Sequence, residues 1–334
     1  MIQSIQYLRA IAALAVVFFH ATGGAKDYFG YVSPLDPLLL RGYYGVDVFF
    51  VISGFVIAMM VIGKGQGRGT FVVNRIARII PPYWLLTLAF AALYVAATSL
   101  FRQTHIGAQD VLASLAFASP LWGKYPIIIP GWSLTYECAF YLAVIVLYRR
   151  FRDLRLGALL VCVALFGLMP LCLQLVRIEL KLLNMLYFLQ FVTGVACFLM
   201  RSGRIGRWQF ASVVAAILLA ECAYGDTNIL TGNLLGGISL LVLLRIEDKA
   251  PAAFTNPLMI RLGDASYAIY LIQVFTLPAF AKALVQIPFL SDSAKGGSLI
   301  ALGPVVTALA GLIFYFLVEK RLVDAARRLL LRFA

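Results

Sequence analysis

The stretch IQYLRAIAALAVVFFHA, residues 5–21, decides the interpretation of this chain. It is an apolar run with one arginine, Arg9, near its start and one histidine, His20, near its end. If the stretch is helical, eleven residues at about 100° each bring the two side chains to within roughly 20° of one direction. They then share one stripe of the helix, about 16 Å apart along its axis. A cation and a titratable group on one face of an apolar helix need partners or a function.

The composition of the whole chain places this helix in a membrane. Of its 334 residues, 62% are hydrophobic and only 13% are charged, whereas a soluble domain is about 45–50% apolar and about 25% charged. Apolar runs of about 17–22 residues, long enough to cross a bilayer, recur with short interruptions. We therefore predict an all-α, polytopic membrane protein of about ten transmembrane helices. The predicted spans are residues 5–24, 44–63, 80–99, 131–148, 156–175, 184–200, 208–224, 228–244, 265–284 and 298–317.

Residues 1–334 are expected to form one transmembrane domain, because no repeat or long polar linker interrupts the spans. A cleavable signal peptide is the rival interpretation of the first 25 residues, which end in the small residues Gly23, Gly24 and Ala25. We expect this segment to be retained, because the only positive residue near its start is Arg9, inside the apolar pattern, and the next span follows at once.

The lysines and arginines predict the orientation of the spans. If the amino terminus is cytoplasmic, the five turns on that side hold 19 of the 28 lysines and arginines. Positive residues accumulate on the cytoplasmic side, so both termini are expected there. The net charge of +13 is then mostly a consequence of topology, and nucleic-acid binding is not expected. This orientation places Arg9 toward the cytoplasm and His20 toward the outer side.

His20 is a candidate catalytic residue, because histidine is well suited to accept and return a proton near neutral pH. The alternative is a histidine at the membrane edge that is hydrogen-bonded for packing. His105, the only other histidine, falls in the predicted outer loop 100–130 and is expected to be a solvated surface residue.

Asp47 and Glu137 are acidic residues at membrane depth. Asp47 lies in GYYGVDVFFVISGFVI (42–57), at the outer end of the second predicted span, and Glu137 lies in PGWSLTYECAFYL (130–142), one to two turns into the fourth. A carboxylate at that depth is costly unless it is paired or faces a wet cavity. Either residue could orient or charge-balance His20, or pair with Arg9 or with a cation of the outer loop. A structural ion pair between helices is the alternative.

Aromatic residues flank Glu137 on the same segment, at Trp132, Tyr136 and Tyr141. Such rings could hold a sugar, or they could form a belt at the membrane interface. In the second span, the pair Ser53 and Gly54 predicts a close approach of another helix, since small residues let backbones meet.

The first predicted cytoplasmic turn carries a pair of arginines. In KGQGRGTFVVNRIARIIPPY (64–83), Arg75 and Arg78 are three residues apart and share one helical face just before the membrane. Two guanidinium groups so placed suit a multiply charged phosphate ligand, or they anchor the loop to the inner surface. Pro81 and Pro82 are expected to mark the entry of the third span, because proline fits the first turn of a helix.

The cysteines indicate neither a metal site nor a disulfide. All five lie in or beside apolar runs, and none has metal-ligand or CxxC spacing. We expect reduced, packed side chains and no metal. The five are Cys138, Cys162, Cys172, Cys197 and Cys222.

Taken together, the motifs resemble the acyltransferase-3 family, integral membrane acyltransferases of about ten helices that modify extracytoplasmic sugars. The resemblance covers nearly the whole chain, and its length is most similar to that of the exopolysaccharide O-acetyltransferases. It rests on Arg9 with His20 and on GVDVFFVISGF (45–55), NRIARIIPPYW (74–84), GWSLTYE (131–137), LGDASYAIYLIQ (262–273) and VEKRL (318–322).

The resemblance implies roles for particular residues. Carried over by position, it implies that His20 is the essential histidine and that Arg9 is its arginine partner. It implies that Arg75 and Arg78 are the arginine pair on the acyl-CoA side. Trp132 and Glu137 match the tryptophan–glutamate motif. Many members end the fourth motif with a histidine, where this chain has Gln273. We therefore assign that position no catalytic role.

The implied reaction is transfer of an acetyl or other small acyl group from cytoplasmic acetyl-CoA to a hydroxyl of an extracytoplasmic or lipid-linked saccharide. His20 is the expected general base, with Asp47 or Glu137 fixing its tautomer. The arginine pair would hold the coenzyme phosphates, and the pantetheine arm would pass Arg9. Trp132 and Tyr136 are the candidate sugar-binding residues.

The implied location is the bacterial cytoplasmic (inner) membrane, with membrane lipid and a polysaccharide-assembly machinery as candidate partners. Two other classes of function remain open. A transporter or flippase of lipid-linked sugars or acyl groups has the same hydropathy but needs neither Arg75 and Arg78 nor release of coenzyme A. A non-catalytic subunit of a polysaccharide-assembly complex needs no reactive histidine.

Overall fold

The computed structural model describes residues 2–98, 106–154, 156–175 and 184–332, and all regular structure within them is helical. Short 3₁₀ or π segments lie at Leu40–Tyr44, Met59–Gly63, Ser119–Trp122, Pro251–Phe254 and Tyr315–Glu319. The α-helices in chain order are α1 (Gln3–Phe29), α2 (Asp36–Leu39), α3 (Gly45–Ala58), α4 (Arg68–Ala96), α5 (Ala108–Leu115), α6 (Gly131–Val146), α7 (Tyr148–Arg152), α8 (Leu156–Leu175), α9 (Tyr187–Arg201), α10 (Arg207–Tyr224), α11 (Thr227–Lys249), α12 (Pro257–Asp264), α13 (Ser266–Val285), α14 (Asp292–Phe314) and α15 (Lys320–Leu330).

A helix lies at each of the ten predicted positions, but not every helix is long enough to cross a membrane. By length and hydropathy, six described helical segments qualify as membrane spans. α6, α9 and the apolar part of α8 are shorter. The chain is therefore a multi-pass membrane protein with six candidate spans, and the count of ten stays a prediction. The six are Gln3–Phe29, Asp36–Gly63, Arg68–Ala96, Thr227–Lys249, Ser266–Val285 and Asp292–Leu330.

The described chain forms two compact units, each built from segments distant in sequence. Unit 1 contains the described residues of Met1–Val46 and Val242–Arg321, and unit 2 contains those of Asp47–Leu241 and Leu322–Ala334. In unit 1, α13 and α14 pack against α1, and α12 covers the start of α1. The 3₁₀ segment Leu40–Tyr44 also lies along α1.

Glycines let the helices of unit 1 approach closely. A side chain at Gly45 would collide with the backbone of Ala12 in α1, and one at Gly263 would collide with the backbone of Gln6. Such close approach replaces bulky side chains with direct backbone packing, which is a main source of helix association in membranes. The result is that α1 is enclosed on several sides.

The amino-terminal end of α1 is held by an acidic residue distant in sequence. Glu247, in the last turn of α11, accepts hydrogen bonds from the backbone N–H of Gln3 at 2.9 Å and of Ser4 at 3.2 Å, and from Ser4 Oγ at 2.5 Å. The residue at the N-cap position, Ile2, supplies no side-chain cap. A carboxylate at this end satisfies otherwise unpaired N–H groups and complements the helix dipole.

Replacing Glu247 with glutamine is expected to destabilise the protein by about 1 kcal/mol, because the helix end loses a charged acceptor. The measurement is the thermal unfolding midpoint of the purified protein in detergent. Asp324→Asn is the matched control, since it removes a carboxylate charge from an exposed position on α15. Equal midpoints for the two variants would contradict the capping role of Glu247.

In unit 2, α3 packs closely against α9. A side chain at Gly54 would collide with the backbone of Phe191, and one at Gly194 would collide with the backbone of Val51. The close approach that Ser53 and Gly54 predict is therefore confirmed.

The predicted start of the third span at Pro81 and Pro82 is wrong. α4 begins at Arg68 and continues through both prolines to Ala96. Proline removes helix hydrogen bonds, but neighbouring groups in a membrane protein can satisfy the freed carbonyls, so a helix can continue through it. As a consequence, Arg75 and Arg78 lie two to three turns inside α4 rather than in a turn before it.

Candidate active site

The backbone of α1 selects the tautomer of His20. The His20 ring is half-buried, and its Nδ1 lies 2.9 Å from the carbonyl oxygen of Val16. A carbonyl only accepts hydrogen bonds, so Nδ1 carries the hydrogen and the Nε2 of the neutral ring keeps its lone pair. The ring forms an edge-to-face pair with Phe19, with 4.9 Å between centroids. The Val16 carbonyl, rather than Asp47 or Glu137, thus fixes the tautomer of His20.

Gln273 lies against the same ring. Its side chain is 2% exposed, and its Nε2 donates to the Tyr270 carbonyl at 2.8 Å. Its Oε1 is buried and has no hydrogen-bond partner among the described residues. This oxygen can accept an N–H from the ring once His20 is protonated. The sequence gives position 273 no catalytic role, and the structure shows that its buried acceptor belongs to the surroundings of His20.

Arg9 faces the same neighbouring helix as His20. Its Nε and Nη2 donate to Oγ of Ser266 at 3.1 and 2.9 Å, and Ser266 is the first residue of α13. Since Gln273 lies about two turns further along α13, Arg9 and His20 share one side of α1, as their spacing predicts. The order of these contacts also means that α1 and α13 run in the same direction.

In unit 2, Asp47 is a buried carboxylate held by an amide. It is 5% exposed, and its Oδ1 accepts from Nε2 of Gln190 in α9 at 2.5 Å. Gly232 of α11 faces the carboxyl group so closely that any side chain there would collide with it. Gln190 gives the Asp47 carboxylate a hydrogen bond but, being neutral, supplies no positive charge to balance it. Sequence patterns gave no signal for Gln190, because the pairing joins residues 143 positions apart.

Glu137 is joined to Arg75 through one tyrosine. Its Oε1 accepts hydrogen bonds from Oγ of Ser53 at 3.2 Å and from the Tyr141 hydroxyl. The Arg75 guanidinium lies over the Tyr141 ring, 5.6 Å from its centroid. Sequence reasoning placed Glu137 near the outer side and Arg75 near the inner side, but the structure brings them to opposite ends of the Tyr141 side chain.

Arg75 retains an unused donor. Its Nη2 lies 3.5 Å from the sulfur of Met60, whereas its buried Nε has no hydrogen-bond partner among the described residues. An unpaired N–H of a charged group is costly to bury, so this donor is available to an anionic ligand. Arg78 is half-buried one turn further along α4.

The two candidate sugar-binding residues belong to one aromatic cluster. Trp132 and Tyr136 pack edge to face at 5.9 Å, and both contact Phe50 and Tyr187. Tyr136 is 1% exposed, and its hydroxyl accepts from the backbone N–H of Asn184 at 2.7 Å. Trp132 is half-buried and so keeps part of its ring accessible.

The second histidine and the cysteines are not part of these contacts. His105 is outside the described residues, as is the side chain of Cys172. The other cysteines are free thiols at Cys138, Cys162, Cys197 and Cys222. Within the described residues, no group of three or more His, Cys, Asp and Glu side chains could hold a metal ion.

Comparison with known proteins places this chain in a family. The exopolysaccharide production protein ExoZ of Rhizobium meliloti (strain 1021) is 28% identical over 305 residues, covering 86% of this chain and 91% of the relative. The acyltransferase MdmB of Streptomyces mycarofaciens is 29% identical over 312 residues, covering 82% and 78%. A Staphylococcus aureus (strain COL) protein, provisionally named O-acetyltransferase SACOL0978, is 28% identical over 122 residues, covering 34% and 17%.

No solved structure matches the chain. The family model Acyl_transf_3, described as an acyltransferase domain, matches residues 2–318. Because this match spans nearly all of the 334 residues, the chain belongs to the acyltransferase-3 family and is an enzyme that transfers acyl groups.

Proposed function

We propose that the protein is a membrane-bound O-acetyltransferase. In this proposal it moves an acetyl or other small acyl group from acyl-CoA to a hydroxyl of an extracytoplasmic or lipid-linked saccharide. The family and the names of the relatives support this class of reaction. The observation that carries the proposal is the hydrogen bond from His20 Nδ1 to the Val16 carbonyl, which leaves Nε2 with a lone pair for a proton.

His20 acts as the general base in the proposed reaction. Its Nε2 takes the proton of the acceptor hydroxyl as that oxygen attacks the thioester carbonyl. A new C–O bond forms, the C–S bond breaks, and the coenzyme thiolate leaves with the proton that His20 returns. The buried Oε1 of Gln273 supports the protonated ring between these two steps.

Arg75 and Arg78 bind the acyl donor in this proposal. The buried, unpaired Nε of Arg75 supports it, since guanidinium groups bind phosphate through charge-assisted hydrogen bonds. Arg9 is proposed to line the path of the pantetheine arm, because it shares one side of α1 with His20. Arg9 is held for that role by Ser266.

The acceptor is assigned to aromatic and acidic candidate residues of α3 and α6. Trp132 and Tyr136 are proposed to bind the sugar, and the part-exposed ring of Trp132 is the better platform. Glu137 and Asp47 are the acidic residues that we propose beside them as part of the catalytic site. Their positions are set by neutral donors, Tyr141 for the first and Gln190 for the second.

The proposed topology has about ten spans and two cytoplasmic termini in the bacterial inner membrane. The parallel course of α1 and α13 supports it, because they are the first and ninth predicted spans, and two parallel spans are separated by an odd number of crossings. α14 packs against α13 with Gly311, near its end, over Ile269, near the start of α13, and so runs back. Membrane lipid and a polysaccharide-assembly machinery are the proposed partners.

The test is acetyl transfer from labelled acetyl-CoA in inverted membrane vesicles, with coenzyme A release and O-acetyl content of the polysaccharide measured together. Wild-type vesicles are expected to release coenzyme A and label the polysaccharide. Arg75→Ala/Arg78→Ala is expected to raise the KM for acetyl-CoA about 10- to 100-fold, because hydrogen bonds to charged groups are lost.

Arg327→Ala/Arg328→Ala is the matched control, since it removes two exposed arginines from α15. An equal rise in KM for both double variants would remove the donor-binding role from Arg75 and Arg78. If wild-type vesicles release no coenzyme A with any of several acyl donors, the transporter or flippase becomes the better assignment.

A further inference from the structure

Tyr141 occupies an unusual position in unit 2. It lies in α6 one turn after Glu137, and its side chain is 5% exposed. Its hydroxyl donates to Oε1 of Glu137, while its ring lies under the guanidinium of Arg75. The ring also forms an edge-to-face pair with Phe71, with 6.2 Å between centroids. The two ends of one rigid side chain thus contact two residues of the proposed site.

We propose that Tyr141 is a positioning residue for acyl transfer, with its ring holding Arg75 and its hydroxyl holding Glu137. This inference rests on the proposed function, because it takes Arg75 as a donor-binding residue and Glu137 as a catalytic one. The two contacts use different parts of the side chain. They can therefore be removed separately.

The ring contact orients Arg75 without consuming its donors. A guanidinium over an aromatic face is attracted by the ring but makes no hydrogen bond with it. The five N–H groups of the guanidinium are therefore not taken up by the ring. Among them, Nη2 lies 3.5 Å from the Met60 sulfur. The unpaired Nε is consistent with an arginine that is positioned by stacking and completed by an anionic ligand.

The hydroxyl contact orients Glu137. Both the Tyr141 and the Ser53 hydroxyl groups donate to the same oxygen, Oε1. Two hydrogen bonds to one oxygen restrict the rotation of the carboxylate. Its other oxygen, Oε2, takes part in neither bond. Packing alone does not require this hydroxyl, since phenylalanine would fill the same space.

The experiment compares Tyr141→Phe with Tyr141→Leu in the vesicle assay. Tyr141→Phe keeps the ring and is expected to lower kcat about tenfold or more, with the KM for acetyl-CoA changed less than about twofold, because only a bond to a charged group is lost. Tyr141→Leu also removes the stacking surface and is expected to raise that KM about 2- to 30-fold.

Tyr148→Phe is the matched control. Tyr148 is also buried and also donates through its hydroxyl, but to the backbone carbonyl of Gln66. We expect its kcat and KM to stay at the wild-type values. Ser53→Ala is the second variant, which removes the other donor to Glu137 and is expected to lower kcat without raising KM. It tests the same carboxylate if Tyr141→Phe fails to fold.

The outcomes separate this inference from the proposed function. Wild-type protein that releases no coenzyme A contradicts the proposed function whatever the variants do. Active wild-type protein with an unchanged kcat in both Tyr141→Phe and Ser53→Ala overturns the role of Tyr141. A rise in KM in Tyr141→Phe without a fall in kcat also overturns it, because the hydroxyl would then serve the donor rather than Glu137.

Discussion

Replacing His20 with alanine is expected to lower kcat/KM for acetyl transfer about 10²- to 10⁴-fold, which is the usual contribution of general-base catalysis. The reason is geometric. The Val16 carbonyl takes the hydrogen of Nδ1, so Nε2 is the free base of the ring. Alanine leaves the acceptor hydroxyl without a proton acceptor at this position.

The His20 experiment needs both a chemical control and an abundance control. His105→Ala removes the only other histidine of the chain and is expected to keep wild-type activity. Protein abundance in the vesicles is measured by immunoblot, and label in the polysaccharide is normalised to it. If His20→Ala acetylates as well as wild type at equal abundance, then His20 is a packing residue and the proton is removed elsewhere.

A variant of Gln273 tests whether its side-chain oxygen supports the protonated His20 ring or only fills space beside it. Gln273→Leu is close to glutamine in volume but lacks the acceptor oxygen that faces the ring. We expect a fall of about tenfold in kcat, since a hydrogen bond to a charged group is lost when the ring is protonated. The measurement is the kcat of acetyl transfer beside the thermal midpoint. A kcat equal to that of wild type would remove Gln273 from the reaction.

Periodicity in the sequence was sufficient to predict α1 and its polar stripe. The spacing of Arg9 and His20 predicts one shared face, and both residues contact α13 from that face. The partners themselves, Ser266 and Gln273, lie more than 240 residues away, and periodicity carries no information about which helix will be adjacent. Only the three-dimensional packing identifies them.

Local sequence rules failed where tertiary context overrides them. Two consecutive prolines favour a helix start, yet α4 starts at Arg68 and contains Pro81 and Pro82. Arg75 lies about two turns inside α4 for the same reason, since the helix begins at Arg68. Arg75 contacts Tyr141, and Tyr141 contacts Glu137, because α4 packs against α6. The sequence of either helix alone does not predict that packing.

Gly54→Ala and Gly194→Ala are each expected to lower the free energy of unfolding by about 1–3 kcal/mol or more, the typical cost of overpacking. An added Cβ at Gly54 would collide with the Phe191 carbonyl, and one at Gly194 would collide with the Val51 carbonyl. Backbone atoms cannot avoid the added methyl group by changing rotamer, as a flexible side chain can. The two helices, α3 and α9, must therefore move apart.

Gly157→Ala is the matched control for these substitutions, because a Cβ at Gly157, in α8, would meet nothing within 4 Å. It is expected to be neutral or stabilising, since alanine favours a helix by up to about 1 kcal/mol over glycine. The measurement is the thermal unfolding midpoint in detergent. Midpoints for Gly54→Ala and Gly194→Ala at or above that of Gly157→Ala would show that α3 and α9 accommodate the methyl groups.

The double variant Gly54→Ala/Gly194→Ala distinguishes one shared interface from two independent contacts. Once the first methyl group has separated α3 and α9, the second meets less resistance, so the combined loss is expected to be smaller than the sum of the single losses. The same separation would lengthen the bond between Asp47 of α3 and Gln190 of α9, which is 2.5 Å in the native packing. Acetyl transfer measured below the unfolding transition should therefore fall in both single variants. It should not fall in Gly157→Ala, because that position lies in open space.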